Sequence, residues 1–242
     1  MSRPRLLDLF CGAGGASMGY HRAGFDVVGV DINPQPHYPF EFHQADALEV
    51  LRILISGNTW RGYVLSDFAV IHASPPCQAF TQMSARYRGK GGPTDDHKNL
   101  LTPTLYILET IDTPWIVENV TGAKNYMRTD HYLHGGMFDL GVHRPRRFQV
   151  ENAKFEPHAY TPRVLFPIGV YGSRPDGRTT YRYRNNGNYR EGGGKSLIRA
   201  AKSVVEAQGV MGIDWMPIWH ELTESIPPAY TEWIGKQLIE QL

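Results

Sequence analysis

Phe68-Ala69-Val70-Ile71-His72-Ala73-Ser74-Pro75-Pro76-Cys77-Gln78 is the stretch on which the fold turns. Its first six residues are apolar and β-branched enough to predict a buried strand. Two prolines then stop it, because neither donates to a ladder and each fixes its own φ. Cys77 is therefore presented on a stiff loop at the carboxyl end of a strand, where open α/β sheets bind their ligands. A lone cysteine is more often a small packed side chain, so the segments around this one decide its meaning.

Upstream, strands and helices alternate. Leu6–Phe10 reads as a strand, Ala16–Ala23 as a helix closed by Gly24, and Asp26–Val30 as a second strand ending on Asp31. A third, less regular unit ends near Asp46, and Leu48–Ile55 reads as helix. Downstream, Pro103–Thr110 predicts a helix and Trp115–Val117 a strand. Such alternation implies a mostly parallel, doubly wound sheet. The C-terminal helix from Ala229 carries Tyr230, Trp233, Ile234 and Leu238 on one face and returns to that sheet.

Gly12, Gly14 and Gly15 stand between the first strand and first helix, where backbone can approach a ligand and a helix N-terminus offers free N–H groups. Asp31 closes the second strand, the place from which an acid reaches two ribose hydroxyls, and Asp46 is placed to accept from an adenine amine. The glycine spacing differs from the dinucleotide pattern, so an adenosine without pyrophosphate fits better than a nicotinamide dinucleotide. An adenosine-binding oxidoreductase is disfavoured on the same ground.

The 242-residue chain, 41% hydrophobic, is long enough for a domain-sized core. Its two cysteines make neither a disulfide framework nor a Cys-x-x-Cys pair, so a structural metal site is not expected. The sequence shows no signal-peptide pattern and no membrane-length apolar run, which predicts a cytoplasmic protein. The net charge of +1 hides an asymmetry: residues 157–202 hold nine Lys or Arg against Asp176 and Glu191, with five tyrosines among them. Thr179–Asn186 alternates like a strand before an Asn-Gly turn. Basic charge interleaved with tyrosine suits a nucleic-acid surface. A solvated loop fits the same composition, and Gly192-Gly193-Gly194 favours local flexibility.

Four ordered motifs carry a resemblance. Asp8-Leu9-Phe10-Cys11-Gly12-Ala13-Gly14-Gly15, Pro75-Pro76-Cys77-Gln78-Ala79-Phe80-Thr81, Glu118-Asn119-Val120 and Arg144-Pro145-Arg146-Arg147-Phe148 look like those of the DNA cytosine-5 methyltransferases. Ile226-Pro227-Pro228 with Ile234-Gly235 is similar to that family's last motif, and Met211–Trp215 more loosely resembles the one before it. The resemblance implies a Rossmann-like sheet that uses S-adenosylmethionine, releases S-adenosylhomocysteine and needs no metal. It implies residues 1–149 as catalytic domain, 150–197 as a short target-recognition insertion and 198–242 as a segment returning to the catalytic part.

The resemblance also assigns roles. Cys77 would add to C6 of a flipped cytosine. Glu118 would stabilise charge at N3, and Arg146 and Arg144 would hold the nucleotide. Phe10, Gly12, Gly14, Asp31, Ile32, Asp46, Ala47, Pro76, Ser225 and Ile226 would bind the cofactor. Gln78, Arg182, Arg184 and Arg190 would contact double-stranded DNA, with the protein acting as a monomer in a bacterial or phage-infected cytoplasm or on the nucleoid. A tRNA cytosine-5 methyltransferase and an inactive nucleic-acid-binding homologue are the alternatives. Two departures stand out: Thr223-Glu224 replaces the family's Gly-Asn, and Val142 replaces the Gln before the arginines.

Overall fold

Along Leu6–Leu9, alternate side chains enter two different cores, and this alternation organises the whole molecule. The computed structural model describes residues 2–77, 80, 99–158, 167–175, 177, 179–183 and 196–242, with backbone alone for 179–183 and 196–197. Its main sheet contains β1 (Arg5–Leu9), β2 (Asp26–Asp31), β3 (Glu41–Gln44), β4 (Val70–Ala73), β5 (Trp115–Val120), β6 (His131–Leu133) and β7 (Arg146–Glu151). Their order across the sheet is β3-β2-β1-β4-β5-β7-β6. The pairs among β1 to β5 are parallel, while β7 runs antiparallel to β5 and to β6. Sequence reading finds the parallel half and misses the antiparallel edge, whose strands are flanked by polar turns instead of helices.

One face packs Leu7, Leu9, Val28, Ile71 and Val117 against α2 (Ala47–Ile55) and α3 (Leu101–Leu108). The other packs Leu6, Val27, Val70, Ile116 and Phe148 against α1 (Gly15–Ala23) and α6 (Pro228–Ile239). Tyr230, Ile234 and Leu238 of α6 are all buried, as their helical spacing predicts. Helices α1 and α6 touch backbone to backbone at Gly19, where an added Cβ would lie 2.1 Å from Thr231 Oγ1. Any side chain there would force the two helices apart.

A second sheet, in the order β8-β10-β9, consists of β8 (Ile168–Gly169), β9 (Thr179–Tyr183) and β10 (Ser196–Ala200). The expected strand at 179 is present; its Asn-Gly turn, like Gln78, Arg184 and Arg190, lies outside the described residues. A boundary at residue 197 is corrected: it would cut β10, which pairs with β9 on one side and β8 on the other. The small sheet is also stitched to the large one, because His143 N–H donates to Ile168 O and Ile168 N–H to Gly141 O, both at 2.8 Å. A third core cluster covers this junction. It joins Ala13, Val142, Val170 and Ala201 to α4 (Val204–Met211) and α5 (Trp219–Glu224).

Candidate active site

The carboxyl ends of β1, β2, β4 and β5 open on a cavity of about 610 Å³. The loop after β1 is shaped by unusual backbone: Phe10 takes φ 58° and Gly14 φ 87°. A non-glycine residue in that region is strained and persists only where its surroundings impose it. Here the imposed turn puts Phe10 on the cavity wall. The loop is pinned from the neighbouring strand: Gly12 N–H donates to Asp31 Oδ2 at 3.1 Å, while Asp31 Oδ1 accepts from Asn33 N–H at 2.9 Å. A Cβ on Gly12 would meet nothing within 4 Å, so its backbone faces open cavity.

Asp46 caps α2, its Oδ1 accepting from Leu48 and Glu49 N–H at 2.8 and 3.1 Å. That cap holds Asp46 and Ala47 against the same cavity. Ile32 is 63% exposed beside them, an apolar side chain that a flat ring would cover. On the opposite wall, Arg144 Nε donates to Ser225 O at 2.8 Å and so fixes the Ser225-Ile226 backbone.

Cys77 follows β4 and is tied to β5, because Asn119 Nδ2 donates to Pro75 O at 2.9 Å. Phe80 N–H closes a turn on Cys77 O at 2.8 Å. Glu118 on β5 and Arg146 on β7 are diagonal neighbours on one face, since Glu118 pairs with Phe148 and Val120 with Arg146. Arg146 Nε lies 2.7 Å from Glu118 Oε1, both side chains being over 90% buried. The approach is off the N–H axis, and Oε1 has no hydrogen-bond partner among the described residues. Cys77, Glu118 and Arg146 all line the cavity.

Electrostatics here follow burial. Burial pushes the Cys77 thiol up, with Arg146 pulling it back and Glu118 adding to the rise. Burial raises Glu118 too, against the pull of Arg146, His72 and Arg144 and a hydrogen bond from Ser74. A buried acid so raised is suited to holding a proton nearer neutral pH and donating it. Cys11 is buried, and its thiol is pushed well up by burial and by Asp8 and Asp31. Cys11 feels carboxylates where Cys77 feels Arg146 and Arg144, so Cys11 serves as a packed neighbour and Cys77 is the better placed of the two to ionise.

Comparison with known proteins fits this geometry. Residues 4–134 match the family described as C-5 cytosine-specific DNA methylase. The chain belongs to this family. Type II methyltransferase M.XorII of Xanthomonas oryzae is 32% identical over 130 residues, covering 50% of this chain but only 29% of M.XorII. M.HgiGI of Herpetosiphon aurantiacus is 29% identical over 128 residues, 50% of this chain and 93% of its own length. Among solved structures, a DNMT2 mutant of Spodoptera frugiperda aligns over 97% of this chain and 99% of its own with TM-score 0.60 and 16% identity. The Entamoeba histolytica methyltransferase EhMeth aligns over 100% and 99%, with TM-score 0.59 and 13% identity. At that identity the likeness establishes the shared Rossmann-like fold.

Measured against the cytosine-5 methylase motifs, two positions are corrected. Arg144 does not reach the cavity. It is 1% exposed, and its guanidinium donates to Ser225 O, to Val170 O at 3.0 Å and to Thr223 O at 2.5 Å. It clamps three segments together, and burial lowers its pKa to about 10. Gly14 also turns away: a Cβ there would meet Pro39 and Tyr38 at 3.0 Å, so it serves the turn and its packing. Phe10, Gly12, Asp31, Ile32, Asp46, Ala47, Pro76, Ser225 and Ile226 all line the cavity. Arg182 lies on β9 with only its backbone described.

Sequence reasoning missed the polar floor beneath the site. Asp8 and His72, both fully buried, sit side by side on β1 and β4 with Asp8 Oδ1 2.8 Å from His72 Nδ1. Asp8 Oδ2 accepts a hydrogen bond from Ser17, which accepts from Tyr38 OH at 2.9 Å. The only signal in the sequence is a polar, titratable side chain inside each of two apolar strands.

Proposed function

We propose that this chain transfers a methyl group from S-adenosylmethionine to C5 of a flipped cytosine in double-stranded DNA. The observation that carries the reading is one cavity walled both by Gly12, Asp31 and Asp46 and by Cys77, Glu118 and Arg146. The first wall fits the cofactor: an open backbone at Gly12, two carboxylates for ribose and amine, and Ile32 as a face for adenine. When bound there, the cofactor supplies an electrophilic methyl group.

Cytosine C5 is a poor nucleophile until a thiolate adds to C6. The Cys77 thiolate forms that S–C6 bond, and the electrons of the C5–C6 double bond become available at C5 for the methyl group. Glu118 donates a proton to N3, taking up the charge that addition pushes onto the ring. Its buried Oε1, still without a hydrogen bond, is a natural partner for the base edge. Arg146 faces both Cys77 and Glu118 and favours the ionised thiol. A solvent base then takes the C5 proton, its electrons re-form the C5–C6 double bond and expel Cys77 as thiolate, and the N3 proton returns to Glu118.

A cytosine stacked in duplex cannot enter this cavity, so the base leaves the helix first. We assign DNA contact to Arg182, Arg184 and Arg190 on the basic composition of residues 150–197, and the shortness of that segment predicts a short recognition site. Such a protein would meet its DNA in the cytoplasm or as part of the nucleoid. The test is Cys77→Ala. It abolishes methyl transfer while S-adenosylhomocysteine still binds, and duplex carrying 5-fluorocytosine traps the wild-type protein through Cys77. Ordinary turnover by Cys77→Ala, or methylation of tRNA with none on DNA, defeats the reading.

A further inference from the structure

Thr223-Glu224, which departs from the family's Gly-Asn, stands where α5 ends on the cofactor cavity. Its backbone is fixed from behind. The Arg144 guanidinium takes the carbonyl on either side of Glu224, Thr223 O at 2.5 Å and Ser225 O at 2.8 Å. The backbone that follows presses on the glycine loop: a Cβ on Gly15 would lie 2.5 Å from Ile226 O. Glu224 is thus carried on a rigid seam, while its side chain stays half-exposed on the cavity. His220 Nε2, one turn earlier, lies 3.4 Å from Glu224 Oε2; both side chains are more than half exposed, so this pair holds the carboxylate weakly. Glu221, the other α5 carboxylate on the cavity, has Oε1 engaged by His37 at 2.7 Å.

Among the described residues the cavity lining holds five carboxylates against Arg146 and His220, a charge balance that suits a cation. The charge of Glu224 reaches both walls. Partial burial raises its carboxyl; His220 and Arg144 oppose the rise and Asp31 adds to it. On Cys77, raised first by burial, Glu224 adds to the rise in turn. A carboxylate in electrical reach of both Asp31 and Cys77 faces the path a methyl group takes from a ribose-bound cofactor to a base on Cys77. A sulfonium stands at the start of that path. Its positive charge relieves the repulsion between Glu224 and Asp31, which a neutral sulfur cannot do.

We propose that Glu224 sets the preference of this protein for the sulfonium substrate over its neutral thioether product. The inference deepens the proposed cofactor chemistry and rests on it. S-adenosylmethionine and S-adenosylhomocysteine share their adenosine, ammonium and carboxylate, and differ by one methyl group and one positive charge. When the methyl group passes to C5, the bonding pair stays on sulfur and the positive charge is gone. The attraction to Glu224 goes with it, so the product is held less tightly than the substrate. Because the attraction fades as the methyl group departs, it selects the ligand instead of speeding the chemical step.

Titration calorimetry of the full chain without DNA reads this preference directly. Glu224→Gln keeps the side chain's shape and removes its charge. It should weaken S-adenosylmethionine by about five- to thirtyfold and leave S-adenosylhomocysteine within about twofold of wild type. Sinefungin, which carries a protonated amine at the place of the sulfonium methyl, should weaken alongside S-adenosylmethionine. Glu224→Asp, which keeps the charge, should retain most of the preference. Equal weakening of all three ligands would put Glu224 at the amino-acid end they share and overturn the proposal. An unchanged ratio of affinities would leave the carboxylate to solvent and overturn it as well. Wild-type protein that binds none of the three overturns the cofactor reading itself, an outcome distinct from a lost preference.

Discussion

Arg146 Nε sits 2.7 Å from Glu118 Oε1 inside a wall that also holds Cys77. One guanidinium therefore biases two groups with opposite needs: a thiol that must ionise and an acid that must keep a proton. Burial is the larger influence on both and raises both, with Arg146 as the first opposing charge on each. Removing Arg146 should move both further up.

The pH profile should show this. A raised thiol makes the thiolate fraction, and hence kcat/KM, climb with pH beyond the ordinary cysteine range. Arg146→Ala should shift that rising limb to higher pH by about one to two units, a loss of roughly ten- to a hundredfold at neutral pH. Stopped-flow or steady-state rates from pH 6 to 10 measure it, and an unmoved limb would mean that Arg146 serves the nucleotide alone.

Arg144 should behave quite differently from its neighbour two residues on. Arg144→Ala strands the buried carbonyls of Ser225 and Val170 and the part-buried carbonyl of Thr223. The cost should be about 3–5 kcal/mol of unfolding free energy in urea melts. Arg144→Lys should recover little, because a point charge cannot reproduce the three-way planar fork. Arg146→Ala loses one backbone bond to Pro145 and its buried contact with Glu118, which can neutralise by holding a proton, so it should cost less stability than Arg144→Ala.

Asp31→Ala should weaken S-adenosylhomocysteine and S-adenosylmethionine binding by about tenfold or more. The carboxylate is both a ribose acceptor in the proposed site and the anchor of Gly12 N–H. Calorimetry reads the change, and equal affinity for wild type and variant would remove Asp31 from the cofactor wall.

Acid should destabilise the junction between the two sheets. Burial, with His134 and Arg146 adding repulsion, lowers His143 from its ordinary value to about 4. The folded state therefore resists a proton that the unfolded chain binds near pH 6.5. Stability from this group is complete above that value and is lost as pH falls towards 4, on the order of 2–3 kcal/mol. Urea midpoints between pH 7 and 4 should fall less steeply in His143→Gln than in wild type.

Neutralising Arg182, Arg184 and Arg190 together should weaken DNA binding on all sequences alike and reduce the slope of log affinity against log salt by up to about three. Cofactor affinity should be unaffected, because among the described residues the cavity lining comes from other parts of the chain. A wild-type slope in the triple variant would leave the basic segment as a solvated loop.

What the sequence determined by itself was the succession of strand and helix units that makes a mostly parallel sheet, and the chemistry at the strand ends. Apolar runs closed by Gly12, Asp31, Asp46 and Pro75-Pro76-Cys77 are local signals, and strand ends in a doubly wound sheet gather at one edge whatever the details. Tertiary structure alone decided which way neighbouring side chains face. Arg144 and Arg146 are indistinguishable in sequence, yet one clamps buried carbonyls and the other pairs with Glu118. Gly14 belongs to the same glycine run as Gly12 but is closed off by Tyr38 and Pro39. Asp8 and His72 are 64 residues apart and become partners only through the register of β1 on β4. The physical reason is common to all three: a side chain's direction and its desolvation are set by what packs opposite, and that partner comes from a distant part of the chain.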